Sequence, residues 1–434
     1  MSTRSNTDTV VIGAGQAGLA VSRQLTLSGI DHVVLERGRV AESWRSERWD
    51  SLNLLTPNWM SRLPGWLYTG ADQEGYMSAG QYIRFLESYA SSFEAPVLSG
   101  TTVDEVSQAA DGYRVVTDKD TWWTRHVIIA TGPFGRPKIP GALKRLDPDV
   151  AVVTANRYRN PAQLPAGGVL VVGASSSGLQ IAEELARAGR RVILAVGRHT
   201  RMPRRYRGMD IFWWLERTGR LARTIDEMPD AALARRDPSM QLVGRNDPNR
   251  HPQDLDLAAL QAHGVRLVGR LEGVDGTTTR FRGDLAEKVD DADARMHRFL
   301  DAVDRHIEET GLTAEVWPGS RPRPVDPPAE TSTLDLRTEG VGTVLLATGY
   351  RPHVPWLRLP ITTPDGAIAQ HRGVTPAPGV YVVGQRFQHR RDSTFIDGAR
   401  HDARDVVAHL SAARHALDVN GRPGAAGMEC SKHG

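Results

Sequence analysis

The sequence predicts an α/β protein in which one strand–turn–helix unit occurs twice. An apolar run precedes a glycine-rich turn at Gly13–Gly18, and the same order recurs at Gly173–Gly178. A helical pattern and a second apolar run follow each turn. This order is typical of a Rossmann-like dinucleotide-binding domain, because the free N–H groups of the helix attract a phosphate. We therefore predict two such domains, the second inserted into the first.

Length and composition indicate a globular enzyme. The chain has 434 residues, more than one core usually holds, and 40% of them are hydrophobic. Its 54 Lys and Arg nearly balance 51 Asp and Glu, so no nucleic-acid partner is indicated. No apolar run approaches the ~20 residues that cross a bilayer, and Met1–Thr9 is too polar for a signal peptide. We expect a cytoplasmic protein with no membrane partner.

The first unit carries an acidic residue at its far end. After the strand Val10–Ile12 and the turn Gly13–Gly18, the strand Val33–Leu35 ends at Glu36. An acid about 20 residues past the glycines accepts hydrogen bonds from a ribose and repels a 2′-phosphate. This unit is therefore expected to bind FAD or NAD rather than NADP.

Aromatic and apolar segments follow the first unit. Residues 44–52 are dense in Trp and Arg, which suits either an anchored surface helix or a segment beside a flavin. Residues 78–93 have aromatic residues at helical spacing and are expected to pack in the core. Residues 97–116 are predicted as strand, turn and strand. The strand Val127–Ile129 then leads into Ala130–Gly132, where small residues let the backbone approach a ligand.

The second unit lacks the acid. Pro161–Pro165 marks a boundary before it, and at the position that corresponds to Glu36 the sequence has Gly197 and Arg198. Further arginines follow at positions 201, 204, 205 and 207. Guanidinium groups match phosphate oxygens, so we expect NADPH here. The alternatives are a solvated basic loop and a duplicated unit without a nucleotide.

The remaining chain is less informative until its end. In residues 208–341, Phe212–Trp214 either lines a pocket or fills a core, and Ala292–Glu309 is predicted as a helix. Ala347–Tyr350 then repeats the pattern of Ala130–Gly132, and we expect the chain to return to the first domain there. A last strand, Val380–Gly384, and a closing helix at residues 398–410 complete the prediction.

These features divide the chain into four parts. We predict the FAD domain at 1–158 and 343–415, an NADPH domain with a helical insertion at 159–342, and a disordered tail at 416–434. The single cysteine, Cys430, lies in that tail. No internal disulfide or CxxC pair is therefore possible, which excludes dithiol redox chemistry.

Taken together, the motifs resemble those of the flavin-containing monooxygenases and their YUCCA relatives. They are GAGQAG with Glu36, ATGPFGRP from Ala130, GASSSG from Gly173 and ATGY from Ala347. The resemblance implies FAD and NADPH as cofactors. The residues expected to bind them are Gly13, Gly15, Gln16, Ala17, Gly18, Glu36, Arg37, Trp44, Arg45, Val103, Ala130, Thr131, Gly132, Gly173, Ser175, Ser176, Ser177, Gly178, Arg198, Arg204, Ala347, Thr348, Gly349 and Gly384.

Two family features are altered. The signature FxGxxxHxxx(W/Y) keeps only its last aromatic residue, in a register that has Pro148, Val150, Thr154 and Tyr158. The family's active-site asparagine corresponds to Leu55, with Asn53 and Asn58 as neighbours.

The resemblance implies a single-component monooxygenase that inserts one oxygen atom from O₂ into a small organic substrate by way of a flavin hydroperoxide. The flavin supplies the difficult chemistry, so few acid–base side chains are needed. Asn53, Arg391 and Asp392 are the catalytic candidates, the last two in a loop before the closing helix that either faces the flavin or is simply polar. The alternatives are an NAD(P)H-dependent reductase that passes electrons to another acceptor or partner protein, and a nucleotide-binding module without activity.

Overall fold

Two parallel five-stranded sheets form the centre of the protein. A computed structural model describes residues 4–245 and 254–420. In spatial order the first sheet consists of Val380–Val382, His126–Ile129, Thr9–Ile12, His32–Glu36 and Val97–Ser99. The second sheet consists of Ala151–Thr154, Val341–Leu346, Gly168–Val172, Val192–Ala195 and Arg266–Val268.

The two sheets correspond strand by strand. In each, the central strand is followed by a glycine turn and a twelve-residue helix, Gln16–Leu27 or Ser176–Arg187. The central strands are buried along their whole length, which agrees with their continuous apolar sequences. The fold class is therefore confirmed: the chain is an α/β protein with two Rossmann-like domains.

Smaller sheets accompany each of the parallel sheets. A four-stranded sheet contains Arg4–Asn6, Thr121–Thr124, Gly112–Thr117 and Val103–Ala109. A three-stranded antiparallel sheet contains Leu271–Asp275, Thr278–Phe281 and Thr333–Asp335. Two-stranded pairs join Arg62–Leu63 to Trp66–Leu67, Arg136–Pro137 to Tyr350–Arg351, Thr200–Arg201 to Met240–Gln241, and Arg205–Tyr206 to Met209–Asp210.

The helices cover these sheets. The others of the described chain are Glu42–Ser46, Ala79–Ser92, Ile211–Arg217, Ala231–Ala234, Leu257–Ala262, Leu285–Thr310 and Ile396–Asn420. Short 3₁₀ turns are Asn58–Met60, Gly141–Arg145, Pro161–Gln163, Ile225–Glu227 and Leu312–Ala314. Ser78 and Gln81 form a capping box that fixes the start of Ala79–Ser92.

The aromatic segments pack in cores, as predicted. Tyr82 and Tyr89 are buried between the helices beside the first sheet. Phe212 and Trp214 are buried with Phe299, which lies on the long helix Leu285–Thr310. The helical insertion is thus attached to the protein through a shared apolar core rather than through its charged face.

The second sheet takes strands from both sides of the boundaries predicted for its domain. Ala151–Thr154 and Val341–Leu346 pair with each other and lie in this sheet. The closing helix continues to Asn420, beyond the predicted start of the tail at residue 416. Residues 421–434, which include Cys430, lie outside the described residues. The division into domains stays a prediction.

Candidate functional site

The first glycine turn is closed on one side and open on the other. Gly13 has a φ of 107°, and a Cβ atom there would lie 2.8 Å from the carbonyl oxygen of Ala130. A Cβ on Gly18 would lie 1.9 Å from the carbonyl oxygen of Gly13. Only glycine therefore lets the strand, the turn and the helix approach so closely. We call the turn 13–18, together with residues 130–132, the first cradle.

Gly15 marks the open side of the first cradle. It precedes the helix Gln16–Leu27, and a Cβ on Gly15 would meet no atom within 4 Å. Open space therefore lies directly above the N-terminus of a buried helix, where the first N–H groups have no partner within the helix. This geometry fits a pyrophosphate.

Glu36 is fixed at the rim of the first cradle. Its carboxylate accepts hydrogen bonds from the backbone N–H groups of Ala14 at 2.8 Å and Gly38 at 2.9 Å. The side chain is almost completely buried, yet each oxygen keeps a lone pair for a further donor. A ribose diol is such a donor, so the site fits the adenosine half of FAD.

The second glycine turn has the same construction. Gly173 has a φ of 112°, and a Cβ there would lie 2.5 Å from the carbonyl oxygen of Ala347. A Cβ on Gly178 would lie 1.8 Å from the carbonyl oxygen of Gly173. Ser175 takes the place of Gly15 at the start of the helix Ser176–Arg187. We call the turn 173–178, together with residues 347–349, the second cradle.

The strand register corrects the position that corresponds to Glu36. Leu35 pairs with Ile12, and Ala195 pairs with Val172 in the same way. The residue after Ala195 is Val196, so a fully buried valine replaces the acid. Gly197 and Arg198, which we predicted at this position, follow it in the loop. The second cradle therefore has no carboxylate where a 2′-phosphate would be repelled.

Arg198 and Arg204 have different environments. The Arg198 side chain is 44% exposed and forms an ion pair with Asp237 at 2.5 Å. The Arg204 side chain is only 4% exposed, and it pairs with the buried Asp210. It also donates a hydrogen bond to the carbonyl oxygen of Leu55 at 2.8 Å. We expected Arg204 to bind the NADPH phosphate. Its side chain instead lies in the interior, where the ion pair with Asp210 compensates its charge.

The nearby arginines are also engaged in ion pairs. Arg201 is buried between Asp256 and Asp293, and Arg207 pairs with Asp304 at 2.9 Å. Arg198 is thus the exposed member of the predicted pair.

Each Ala-Thr-Gly segment closes its own cradle. The N–H of Ala130 donates to the carbonyl oxygen of Ile12, and that of Ala347 donates to Val172, both at 2.9 Å. Ala347 therefore stands at the end of a strand of the second sheet, and our expectation that the chain returns to the first domain from here stays a prediction. The strand before it is the second strand of the second sheet, since it pairs with Gly168–Val172.

The loops that leave the two cradles meet. The rings of Phe134 and Tyr350 pack edge to face with centroids 5.1 Å apart. The N–H of Lys138 donates to the carbonyl oxygen of Gly349 at 2.8 Å. Arg48, which sequence reasoning missed, lies between the rings of Phe134 and Trp44. The sequence indicates Arg48 through the Trp- and Arg-rich segment 44–52, but it does not show which arginine of that segment faces inward.

The other predicted contacts of the first cradle lie around it. Gly384 follows the last strand, Val380–Val382, and a Cβ there would lie 2.8 Å from the Cβ of Ala17. Trp44 packs against Tyr82, and Arg45 pairs with Glu87. Arg37 pairs with Glu47 at 2.7 Å. Val103 is buried in the apolar core beneath the first sheet.

The three catalytic candidates do not form one group. Asn53 donates from Nδ2 to the carbonyl oxygen of Gly244 at 2.8 Å. Arg391 reaches Asp237 at 3.5 Å. Asp392 is buried in an ion pair with Arg390, and burial raises the pKa of its carboxyl. Their roles stay predictions.

One buried acid of the closing helix was missed. Asp402 is 2% exposed and faces Ser393, and burial raises the pKa of its carboxyl to about 7. Asp402 has charged neighbours in the sequence of this helix, a pattern that predicts an exposed side chain. Only the packing of the loop 389–393 on this helix explains the burial.

Residues 4–245 and 254–420 contain no cluster of His, Cys, Asp and Glu side chains that could hold a metal ion. Within the same ranges, no helix is long and apolar enough to cross a membrane.

Comparisons with known proteins agree with this architecture. The pyridine nucleotide-disulphide oxidoreductase family matches residues 10–208. An uncharacterized CzcO-like oxidoreductase of Geobacillus kaustophilus is 30% identical over 403 residues, which cover 92% of this chain and 97% of that protein. A probable indole-3-pyruvate monooxygenase, YUCCA1 of Arabidopsis thaliana, is 34% identical over 185 residues, which cover 41% of this chain and 44% of that protein.

Solved structures share the fold. A flavin-containing monooxygenase from Stenotrophomonas maltophilia superposes with a TM-score of 0.64 at 22% identity, and the match covers 94% of this chain and 99% of that one. A bacillithiol disulfide reductase from Staphylococcus aureus has a TM-score of 0.57 at 15% identity, with 96% and 100% covered. Near-complete coverage by the CzcO-like relative, together with two matched cradles, confirms the predicted resemblance. The chain therefore belongs to the CzcO-like oxidoreductases among the flavin-containing monooxygenase and YUCCA-like flavoproteins, and it is a flavin-dependent oxidoreductase whose cofactors are FAD and NADPH.

Proposed function

We propose that this protein is a single-component monooxygenase that uses NADPH and O₂ to insert one oxygen atom into a small organic substrate. The observation that carries the proposal is the difference between two otherwise equivalent cradles. One holds Glu36 at its rim, whereas the other has Val196 there and an exposed Arg198 two residues later. The same chain can therefore hold FAD, which has no 2′-phosphate, in one cradle and NADPH, which has one, in the other.

The residues divide between the two cofactors. The first cradle, with Glu36, would hold FAD, and the N–H groups at the start of Gln16–Leu27 would bind its pyrophosphate. The second cradle, with Ser175 and Arg198, would hold NADPH. When bound, NADPH supplies the hydride, and FAD accepts it and activates oxygen.

The junction of the two cradles is where this chain would keep the cofactors in contact. The pairing of Arg136–Pro137 with Tyr350–Arg351 fixes the two loops against each other. Arg48 and its neighbouring rings cover this junction, and such aromatic packing helps to exclude water from a reacting centre. The proposal assigns no acid or base to the reaction.

Two facts favour oxygen over a dithiol as the electron acceptor. The chain has one cysteine, so it cannot form an internal redox-active disulfide. YUCCA1, whose name gives indole-3-pyruvate as its substrate, is similar over 41% of this chain. An α-keto acid is therefore the first substrate class to test, followed by ketones, sulfides and amines.

The deciding experiment uses the purified yellow holoprotein under ¹⁸O₂ with NADPH and the substrate panel. We expect NADPH consumption that depends on oxygen and a product that carries one ¹⁸O atom. Steady NADPH turnover without oxygen, or a product without the label, would instead identify a reductase. A protein without flavin absorbance would contradict both activities.

A further inference from the structure

A basic cavity of about 510 Å³ lies against Arg198, in the loop that follows the strand Val192–Ala195. Five basic side chains line it against three carboxylates, so its net charge is positive. The basic residues are Arg198, Arg270, Arg282, Lys288 and Arg295. The last two belong to the helix Leu285–Thr310, whose role the sequence did not indicate.

Most of these basic groups have partners within the protein. Arg282 pairs with Glu272 at 2.9 Å, and Lys288 pairs with Glu287 at 2.7 Å. Arg295 donates to the carbonyl oxygen of His199 at 2.7 Å. Within residues 4–245 and 254–420, the Arg270 guanidinium makes no ion pair and no hydrogen bond. A cation without a partner in a basic cavity is available to an anion.

Arg270 lies beside Arg198 because their strands are neighbours. Val192–Ala195 and Arg266–Val268 run parallel, and the two arginines follow the carboxyl ends of these strands. A Cβ placed on Gly197 would lie 3.9 Å from Cγ of Arg270. The Arg270 side chain therefore crosses the loop next to Arg198, at the edge where a bound ribose would lie.

We propose that Arg270 is a second ligand of the 2′-phosphate, so that two arginines from adjacent strands make the second cradle specific for NADPH. The inference rests on the proposed function, which assigns NADPH to this cradle. A 2′-phosphate has three oxygens and nearly two negative charges, so it can accept from two guanidinium groups at once. Arg198 exchanges Asp237 for the phosphate, whereas Arg270 has no partner to give up.

The test compares Arg270→Ala with the matched variant Arg282→Ala. Both arginines line the same cavity, but only Arg282 has an ion-pair partner there. Calorimetry on the FAD-loaded protein measures the binding of 2′,5′-ADP and of 5′-AMP, which lacks the 2′-phosphate. We expect Arg270→Ala to weaken 2′,5′-ADP about 10- to 100-fold, as for loss of a charged hydrogen bond, and to leave 5′-AMP unchanged. Arg282→Ala should leave the affinity for both ligands unchanged.

Three outcomes would overturn the inference. Equal loss of both ligands would show that Arg270 supports the fold, and unchanged binding would show that it makes no contact. An equal effect of Arg282→Ala would indicate the general potential of the cavity. The wild-type protein separates this inference from the proposed function. If it binds 2′,5′-ADP no more tightly than 5′-AMP, the cofactor assignment fails; if it prefers 2′,5′-ADP and Arg270→Ala keeps the full preference, only the role of Arg270 fails.

Discussion

Single side chains distinguish two cradles that have almost the same backbone. Glu36 can accept from a ribose because the N–H groups of Ala14 and Gly38 hold its carboxylate in place. Val196 has no such capacity, and the nearest charged side chain after it is the cationic Arg198. On the proposed assignment, nucleotide choice depends on residues at or just after the ends of two equivalent strands.

We expect Arg198→Ala to weaken NADPH binding by about 1.5–3 kcal/mol and to leave NADH almost unchanged, because only the 2′-phosphate loses a charged hydrogen bond. The measurement is KM for both nucleotides, supported by direct titration. Arg191→Ala is the control. Arg191 lies directly before the strand Val192–Ala195, at the end opposite to Arg198, and its side chain is 62% exposed. A parallel loss for NADPH and NADH would contradict a phosphate contact.

The sequence identifies the arginines of the second unit but not the directions in which their side chains point. Arg198 and Arg204 lie six residues apart, yet one faces solvent and the other fills an interior site between Tyr76 and Phe212. Arg204 forms its buried ion pair with Asp210. The spacing of these two residues in the sequence does not predict that they are in contact. Burial depends on the partners that the fold brings near.

At the scale of elements, the glycine turns separate packing from binding. We expect Gly18→Ala to lower the free energy of unfolding by about 1–3 kcal/mol, because its Cβ would overlap the carbonyl oxygen of Gly13. Gly15→Ala should leave the stability of the apoprotein unchanged, because its Cβ would meet no protein atom. It should lower the amount of FAD that the purified protein contains, because the same Cβ would occupy the open space above the helix. Denaturant unfolding and the flavin absorbance check both. Equal stability loss in the two variants would contradict the assignment of the open side.

The closing helix gives a pH-dependent prediction. Burial raises the pKa of Asp402 from 3.8 to about 7. The folded protein then holds a proton that the unfolded chain releases, so this group lowers the free energy of unfolding as the pH rises from about 4 to about 7. Burial lowers the pKa of His401 to about 4, which acts in the opposite direction.

The difference between wild type and Asp402→Asn isolates this group, because His401 is present in both proteins. We expect the variant to gain stability relative to wild type across that pH range, as asparagine does not ionise. Urea unfolding at several pH values provides the curves. Parallel curves from pH 4 to pH 8 would contradict a protonated Asp402.

At the scale of the whole molecule, a buried cluster joins the segment after the first unit to the segment after the second. Asp210 accepts from Tyr76 at 2.9 Å and pairs with Arg204, which in turn donates to Leu55. The backbone adds to this seam, since a Cβ on Gly244 would collide with the carbonyl oxygen of Leu54. These contacts therefore connect residues 54–76 with residues 204–244.

We expect Asp210→Asn to lower the free energy of unfolding by about 3–5 kcal/mol, because it leaves the Arg204 cation buried without its anionic partner. Tyr76→Phe, which removes a neutral donor to Asp210, should cost about 1 kcal/mol. Denaturant unfolding of the holoprotein measures both. An Asp210→Asn variant within 1 kcal/mol of wild type would show that Arg204 is not held by this charge.

The sequence by itself determined the two strand–turn–helix units, the acid of the first and the excess of arginine in the second. It could do so because a glycine turn between a strand and a helix is set by the conformations of a few consecutive residues. Only the tertiary structure decided that Val196 replaces Glu36, that Val341–Leu346 lies in the second sheet, and that Arg270 stands beside Arg198. These features depend on which strands become neighbours, and that is fixed by packing between segments far apart in the chain.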